Sequence, residues 1–233
     1  MRIRTLTTLI LVALVLLAVA PTEAHAHDVT RGDKGYIQAI VGVHLIPFAY
    51  LGAKHMVTGY DHLLFLLAVI FFLYRLREIG LYVTLFAIGH STTLIAGVLT
   101  GVSMSSHLVD AIIGLSVVYK ALDNLGVYQR WFGRQPNMKV ATLVFGLFHG
   151  LGLATKIRDY EVAPVGLVQN LLAFNVGVEL GQLVALSAIL VLMTHWRETT
   201  RFLRQARTAN VGIALAGVAL MAYQLVGYFN PNG

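Results

Sequence analysis

The chain contains no cysteine among its 233 residues. That absence excludes a disulfide framework, thiolate metal sites and cysteine nucleophiles. Charge is also scarce, at 12% of residues, where a soluble domain carries about 25%. With 57% hydrophobic residues and a mean hydropathy of +0.73, the apolar surface exceeds what one soluble core of this length can bury. The expected solvent is therefore lipid. Spans of roughly 20 residues leave room for about six or seven helices and no large soluble domain. There is no low-complexity segment and no convincing internal repeat, so the inverted-repeat signature of transporters lends no support. The 17 Lys+Arg against 11 Asp+Glu, net +6, read as cytoplasmic loops rather than as a nucleic-acid surface.

The N-terminus reads as an export signal. Arg2 and Arg4 precede an apolar run from Leu9 to Ala20, Pro21 breaks it, and Ala24-His25-Ala26 is a small-x-small cleavage site. Cleavage after Ala26, or retention as an anchor, both place residue 27 onward outside the cytoplasm. Residues 27–35 read as a polar tail. Tyr36 to Tyr50 is interrupted by Gly42, His44 and Pro47, and reads as an interfacial or re-entrant helix, with a seventh span as the alternative. Six apolar stretches follow, at about 60–74, 80–102, 107–125, 139–155, 166–195 and 209–229. All six are expected to be helices, since lipid obliges each segment to satisfy its own backbone. The predicted architecture is all-α: a signal peptide (1–26), a periplasmic tail and interfacial helix (27–58) and a six-helix transmembrane bundle (59–230).

The joints alternate in charge. The first, third and fifth hold Arg75 and Arg77; Arg130, Arg134 and Lys139; and Arg197, Arg201, Arg204 and Arg207, nine cations in all. The second and fourth hold only Lys156 and Arg158. The positive-inside rule then places the odd joints in the cytoplasm and both mature termini in the periplasm of a bacterial inner membrane.

Ionisable groups inside spans are expensive and usually face the bundle interior with a partner. His55, Asp61 and His62 lie around Gly59 and supply ligands suited to a divalent cation. On an unbroken helix His55 and His62 would sit about 10.5 Å apart along the axis, too far for one ion. Either Gly59 breaks the helix and folds His55 back, or there are two relay positions. His90, beside Ser91, lies mid-span, as does His149 between Gly146 and Gly150, glycines spaced for close helix approach. In Asn175-x-Gly177-x-Glu179-x-Gly181-Gln182 the three polar side chains fall at i, i+4 and i+7, on one helix face. A mid-membrane Glu179 with no Lys or Arg on its own helix, read as 166–195, needs a proton, a cation or a histidine. Glu179, His90 and His149 are expected to converge in one interior site, with Asn175 and Gln182 orienting the carboxylate. Lys120, Asp123 and Asn124 read as structural, with a gate as the alternative, and His44, His107, Asp110 and His195 near the interfaces read as structural.

Gly52-x-x-His55-x-x-x-Gly59-x-Asp61-His62-Leu63-Leu64-Phe65 resembles the HupE/UreJ family of hydrogenase and urease accessory membrane proteins. So do Gly89-His90-Ser91, Phe148-His149-Gly150 and the 174–182 segment, in the expected order. The chain differs from the nickel permeases of that kind in two places. Met56 stands where proline is expected, and the run from Phe148 to Ala154 holds no second histidine and no glutamate. The resemblance implies a secondary permease for nickel or cobalt, with His55, Asp61, His62 and His149 as metal contacts.

Together these features predict an integral membrane permease carrying a divalent cation as substrate through an intramembrane site of His55, Asp61, His62, His90, His149 and Glu179. Ser91, Asn175 and Gln182 would support that site. Imidazole suits nickel, zinc and copper(II) as well as cobalt, and no permanently bound cofactor is expected. The alternatives are an intramembrane metal-dependent hydrolase and a non-transporting accessory factor. No G-x-S-x-G motif supports a serine hydrolase. Expected partners are the bilayer and the metal ion, with self-association or metalloenzyme-maturation proteins left open.

Overall fold

Residues 40–102, 104–159 and 164–230 are described by the structure, a computed structural model. The expected signal peptide and polar tail lie outside the described residues. Among the described residues the chain forms eight helices and no strand: α1 (Leu45–Thr58), α2 (Tyr60–Ile70), α3 (Leu76–Thr100), α4 (Ser106–Asn124), α5 (Val127–Phe132), α6 (Met138–Asp159), α7 (Leu167–Arg197) and α8 (Phe202–Phe229). Four of them, α3, α6, α7 and α8, are long and apolar enough to cross a membrane. The charges of Asp110, Lys120 and Asp123 lower the hydropathy of α4.

Local sequence explains the boundaries. Asn137 caps α6, its side-chain oxygen accepting the backbone N–H groups of Lys139 and Val140. Gly101, at φ +79°, ends α3 in the left-handed conformation that costs glycine little. The apolar stretch places the start of the last helix at about 209, but α8 starts at Phe202 and runs its Arg-rich first turns out of the apolar part.

Three helix pairs build the bundle, each joined through glycines that let backbones meet. In α1 and α7, a Cβ on Gly181 would stand 2.6 Å from the Ala53 carbonyl oxygen, and Gly52 and Gly177 are equally closed in by Phe174 and Ala49. In α3 and α6, Gly146 and Gly150 lie against the backbone of Phe86 and His90. In α4 and α8, Gly114 and Gly217 oppose each other, a Cβ on Gly217 lying 2.9 Å from the Gly114 oxygen. Such close approach replaces the hydrophobic drive that is missing between helices in lipid with van der Waals contact.

The registers of these pairs set direction. The backbone N–H of His44 donates to Asn170 at 2.7 Å, Ala53 meets Gly181, and Arg197 donates to the Ile70 and Phe71 carbonyls. Hence α1 and then α2 run end to end beside α7, parallel to it over its whole length. The α3–α6 pair is also parallel, and α4–α8 is antiparallel, with His107 bonded to Gln224 and Asn124 to Asn210.

All three Arg-rich joints consequently lie at one end of the bundle. There Arg197 holds the last carbonyls of α2 and stacks over Tyr74 at 4.6 Å, and Asn124 donates to Ala68 O at 2.8 Å. At the opposite end Arg158 donates to the Gly101 carbonyl. The stretch expected to lie on the membrane surface is thus partly helix α1, packed lengthwise along α7.

Candidate functional site: a histidine cluster at a helix break

Gly59 separates α1 from α2. Its φ of −72° and ψ of 101° are extended, and its N–H donates to the His55 carbonyl, closing the last turn of α1. A side chain here would collide with the His62 ring and stand 3.0 Å from the Asp61 carboxylate. The break brings together what an unbroken helix would hold apart. The His55 and His62 rings are 4.9 Å apart, centroid to centroid, edge to face. Of the two arrangements the spacing allowed, the folded-back one is present.

α6 supplies the third imidazole. His149 is fully buried, and its ring centroid lies 5.3 Å from that of His62. Its Nδ1 donates to the Phe145 carbonyl at 2.7 Å, which fixes the tautomer and leaves Nε2 as the lone-pair atom. Asp61 Oδ1 lies 3.2 Å from His62 Nδ1, and both side chains are buried. Among the described residues, no group of three His, Asp or Glu is gathered closely enough to hold a metal ion in this conformation. The cluster has the donor set for a borderline cation, and ligation by more than two of its members at once needs side-chain rotation.

His90 is buried on α3 and stacks on Phe86, centroids 6.0 Å apart, while Phe86 also meets His149 at 4.8 Å. An aromatic wall encloses the cluster: Phe174 beside His55, and Phe65 and Phe86 beside His149. In the sequence reading Phe65 and Phe174 stood only as positions in the family motifs, and Phe86 did not enter at all. The available signal was spacing, since Phe86 precedes His90 by one helical turn and Phe65 follows His62 by nearly one.

The segment 175–182 departs from expectation. Asn175 and Gln182 are buried, but Glu179 is exposed on the outer face of α7 beside Leu172, Val176 and Leu183. The expected convergence of Glu179 with His90 and His149 is not formed. The reason is angular. Residues at i+4 are rotated about 40° from i on a helix, and the boundary of the packed face falls inside that interval. Nor does Asn175 orient a carboxylate: its Oδ1 accepts from the Ser91 hydroxyl at 3.1 Å, and its Nδ2 donates to Leu171 O. Ser91 and Asn175 therefore tie α3 to α7.

Several peripheral polar groups are paired along or across helices. Lys120 donates to Asp123 and Asn124 at 2.7 Å each, and Lys156 pairs with Asp110 at 3.6 Å, joining α6 to α4.

Four apolar crossing-length helices, together with a buried set of imidazoles and a carboxylate, define a helical membrane protein with an ionisable core. A family model described as HupE / UreJ protein matches residues 31–231. The chain belongs to that family. No curated protein and no solved structure gives a match.

Proposed function

We propose that the protein is a permease for a divalent transition-metal cation and that the cation's station is the helix break at Gly59. The observation that carries this reading is the meeting of His55, His62 and His149 from three helices, with Asp61, inside an apolar bundle. Ionisable groups at such depth mark ion pathways, and broken helices are how transporters place binding sites near the midplane. Imidazole and carboxylate together suit nickel or cobalt, with zinc and copper(II) as competitors.

In this reading α1 and α2 are two halves of a single crossing. The 14 and 11 residues of these helices span about 21 and 16 Å, so Gly59 falls well inside the hydrocarbon. The bundle then has six crossings, and its Arg-rich end faces the cytoplasm. In this orientation a periplasmic thiol reagent labels a cysteine placed at Ser105 and not one placed at Gln205, and labelling at Gln205 in intact cells would invert the topology.

The test of function is uptake of radiolabelled nickel and cobalt, together with calorimetric metal binding by the detergent-solubilised protein. His62→Ala and Asp61→Ala are expected to abolish both while the protein still accumulates in the membrane. Unchanged uptake and binding in the two variants would reduce the cluster to packing.

A further inference from the structure

One face of α7 is left uncovered by the described residues. Gln169, Leu172, Val176, Glu179 and Leu183 are all exposed along it. Their positions alternate in steps of three and four residues, which is the spacing of a heptad seam, the line along which one helix takes another as partner. The glycine face of α7 is already occupied by α1, with Ala49 and Ala53 against Gly177 and Gly181. The seam is therefore a separate surface.

Glu179 makes this surface costly to leave against lipid. It stands about 18 Å from the first residue of α7 and about 27 Å from the last, and a hydrocarbon core is about 30 Å thick. A glutamate side chain is too short to carry its carboxyl from that depth to the headgroups. Ionisable groups inside a bilayer almost always face protein or a water-filled cavity and find a partner there. Glu179 meets neither a hydrogen-bond nor an ion-pair partner among the described residues.

We propose that this face of α7 receives the same face of a second copy of the chain, with the two Glu179 side chains meeting at a two-fold axis. All copies insert into the membrane in one orientation, so an axis relating two of them runs along the membrane normal and equal depths face each other. A parallel heptad seam then sets each residue beside its own counterpart. The polar groups suit that arrangement, because a carboxylic acid and a primary amide both donate and accept, and each is complementary to its own kind. A different partner would need a donor placed at the depth of Glu179, whereas a second copy brings one by symmetry. Polar pairs fix the register of such a seam, and Leu172, Val176 and Leu183 supply the packing between them. The inference does not depend on the permease reading. His55 reaches α7 at Phe174, on the buried side, so pairing leaves the histidine cluster intact.

The test exploits the absence of native cysteine. Val176→Cys, Leu183→Cys and, as a reference on the exposed side of α8, Leu215→Cys are oxidised in native membranes with copper–phenanthroline and resolved on denaturing gels. The two seam variants should migrate at twice the chain mass, and Leu215→Cys as a single chain. Adding Glu179→Leu to either seam variant should lower the cross-linked fraction to the Leu215→Cys level. Adding Glu179→Gln should preserve it, since the amide keeps a donor and an acceptor. The purified Glu179→Leu protein should melt and bind Ni²⁺ like the wild type, because the side chain lies outside the packed core of its own chain. Single-chain products from both seam cysteines would overturn the pairing, and so would equal cross-linking at Leu215→Cys, which reports random collision. A product of any other mass would assign the face to a different protein. Undiminished cross-linking with Glu179→Leu would remove the carboxyl as the tie. Absent Ni²⁺ binding by the wild type, with the seam cross-linked, sinks the permease reading and leaves this one standing.

Discussion

Two segments of this chain carry the same kind of text, polar residues interleaved with glycines in an apolar run, and they fold to opposite ends. Around Gly59 the chain breaks, and His55, Asp61 and His62 all turn inward, His62 meeting both His55 and His149. Around Gly177 and Gly181 the helix continues unbroken for 31 residues, and its polar groups are dealt out by angle alone. Asn175 and Gln182 go in and Glu179 goes out. In the first segment glycine supplies an interruption. In the second it supplies a flat face against which α1 lies, with Ala49 and Ala53 in contact. A glycine-rich polar motif in lipid therefore says that backbones come close, and only the presence or absence of a break says which side chains are gathered.

The comparison is broken most severely by filling the break. Gly59→Ala puts a methyl group into the His62 ring and beside the Asp61 carboxylate, and overpacking of this kind typically costs about 1–3 kcal/mol. The expected result is a lowered melting temperature in detergent and loss of metal binding. The equivalent change at Gly212, where nothing lies within 4 Å, should leave both unaltered. A Gly59→Ala protein that binds metal normally would show that the break does not build the site.

Next in size is the partner of His62. Asp61→Asn keeps shape and removes charge. Loss of a carboxylate that orients a liganding histidine usually weakens metal affinity about 10- to 100-fold, and calorimetry on the purified protein reads this directly. An affinity within error of wild type would leave Asp61 as a helix-terminus residue only.

The unbroken segment is sharpened by smaller effects. Ser91→Ala removes the hydroxyl that Asn175 accepts from, and interhelical hydrogen bonds in bilayers average about 0.6 kcal/mol, so a small drop in melting temperature with unchanged uptake is expected. Glu179→Gln should be the mildest substitution of all, leaving uptake, its pH dependence and stability as they were, because the carboxylate lies outside the packed core. If the variant instead lost pH-dependent uptake, Glu179 would belong to a site completed by something beyond this single chain.

Much of the architecture was legible because lipid imposes strict rules on sequence. Apolar length located the six expected stretches to within a few residues of α2, α3, α4, α6, α7 and α8, apart from the early start of α8. Charge alternation grouped the joints now seen together at one end. Family membership was readable from motifs whose order survives divergence at Met56 and after His149. Hydropathy depends on composition within one segment, and composition is what a sequence displays directly.

Which polar groups meet was decided by the tertiary structure. The sequence determined that His55, Asp61, His62, His90, His149, Asn175 and Gln182 would lie within apolar segments. It stated that Gly59 could interrupt a helix, but not that the halves would be held beside α7, with Arg197 fastening the lower one. Nor could it exclude Glu179 from the core, since a residue about 40° from a buried neighbour is inside or outside according to how wide an arc the packing helices cover. That arc is a property of α1 and α3 as they pack on α7, and no single helix carries the information.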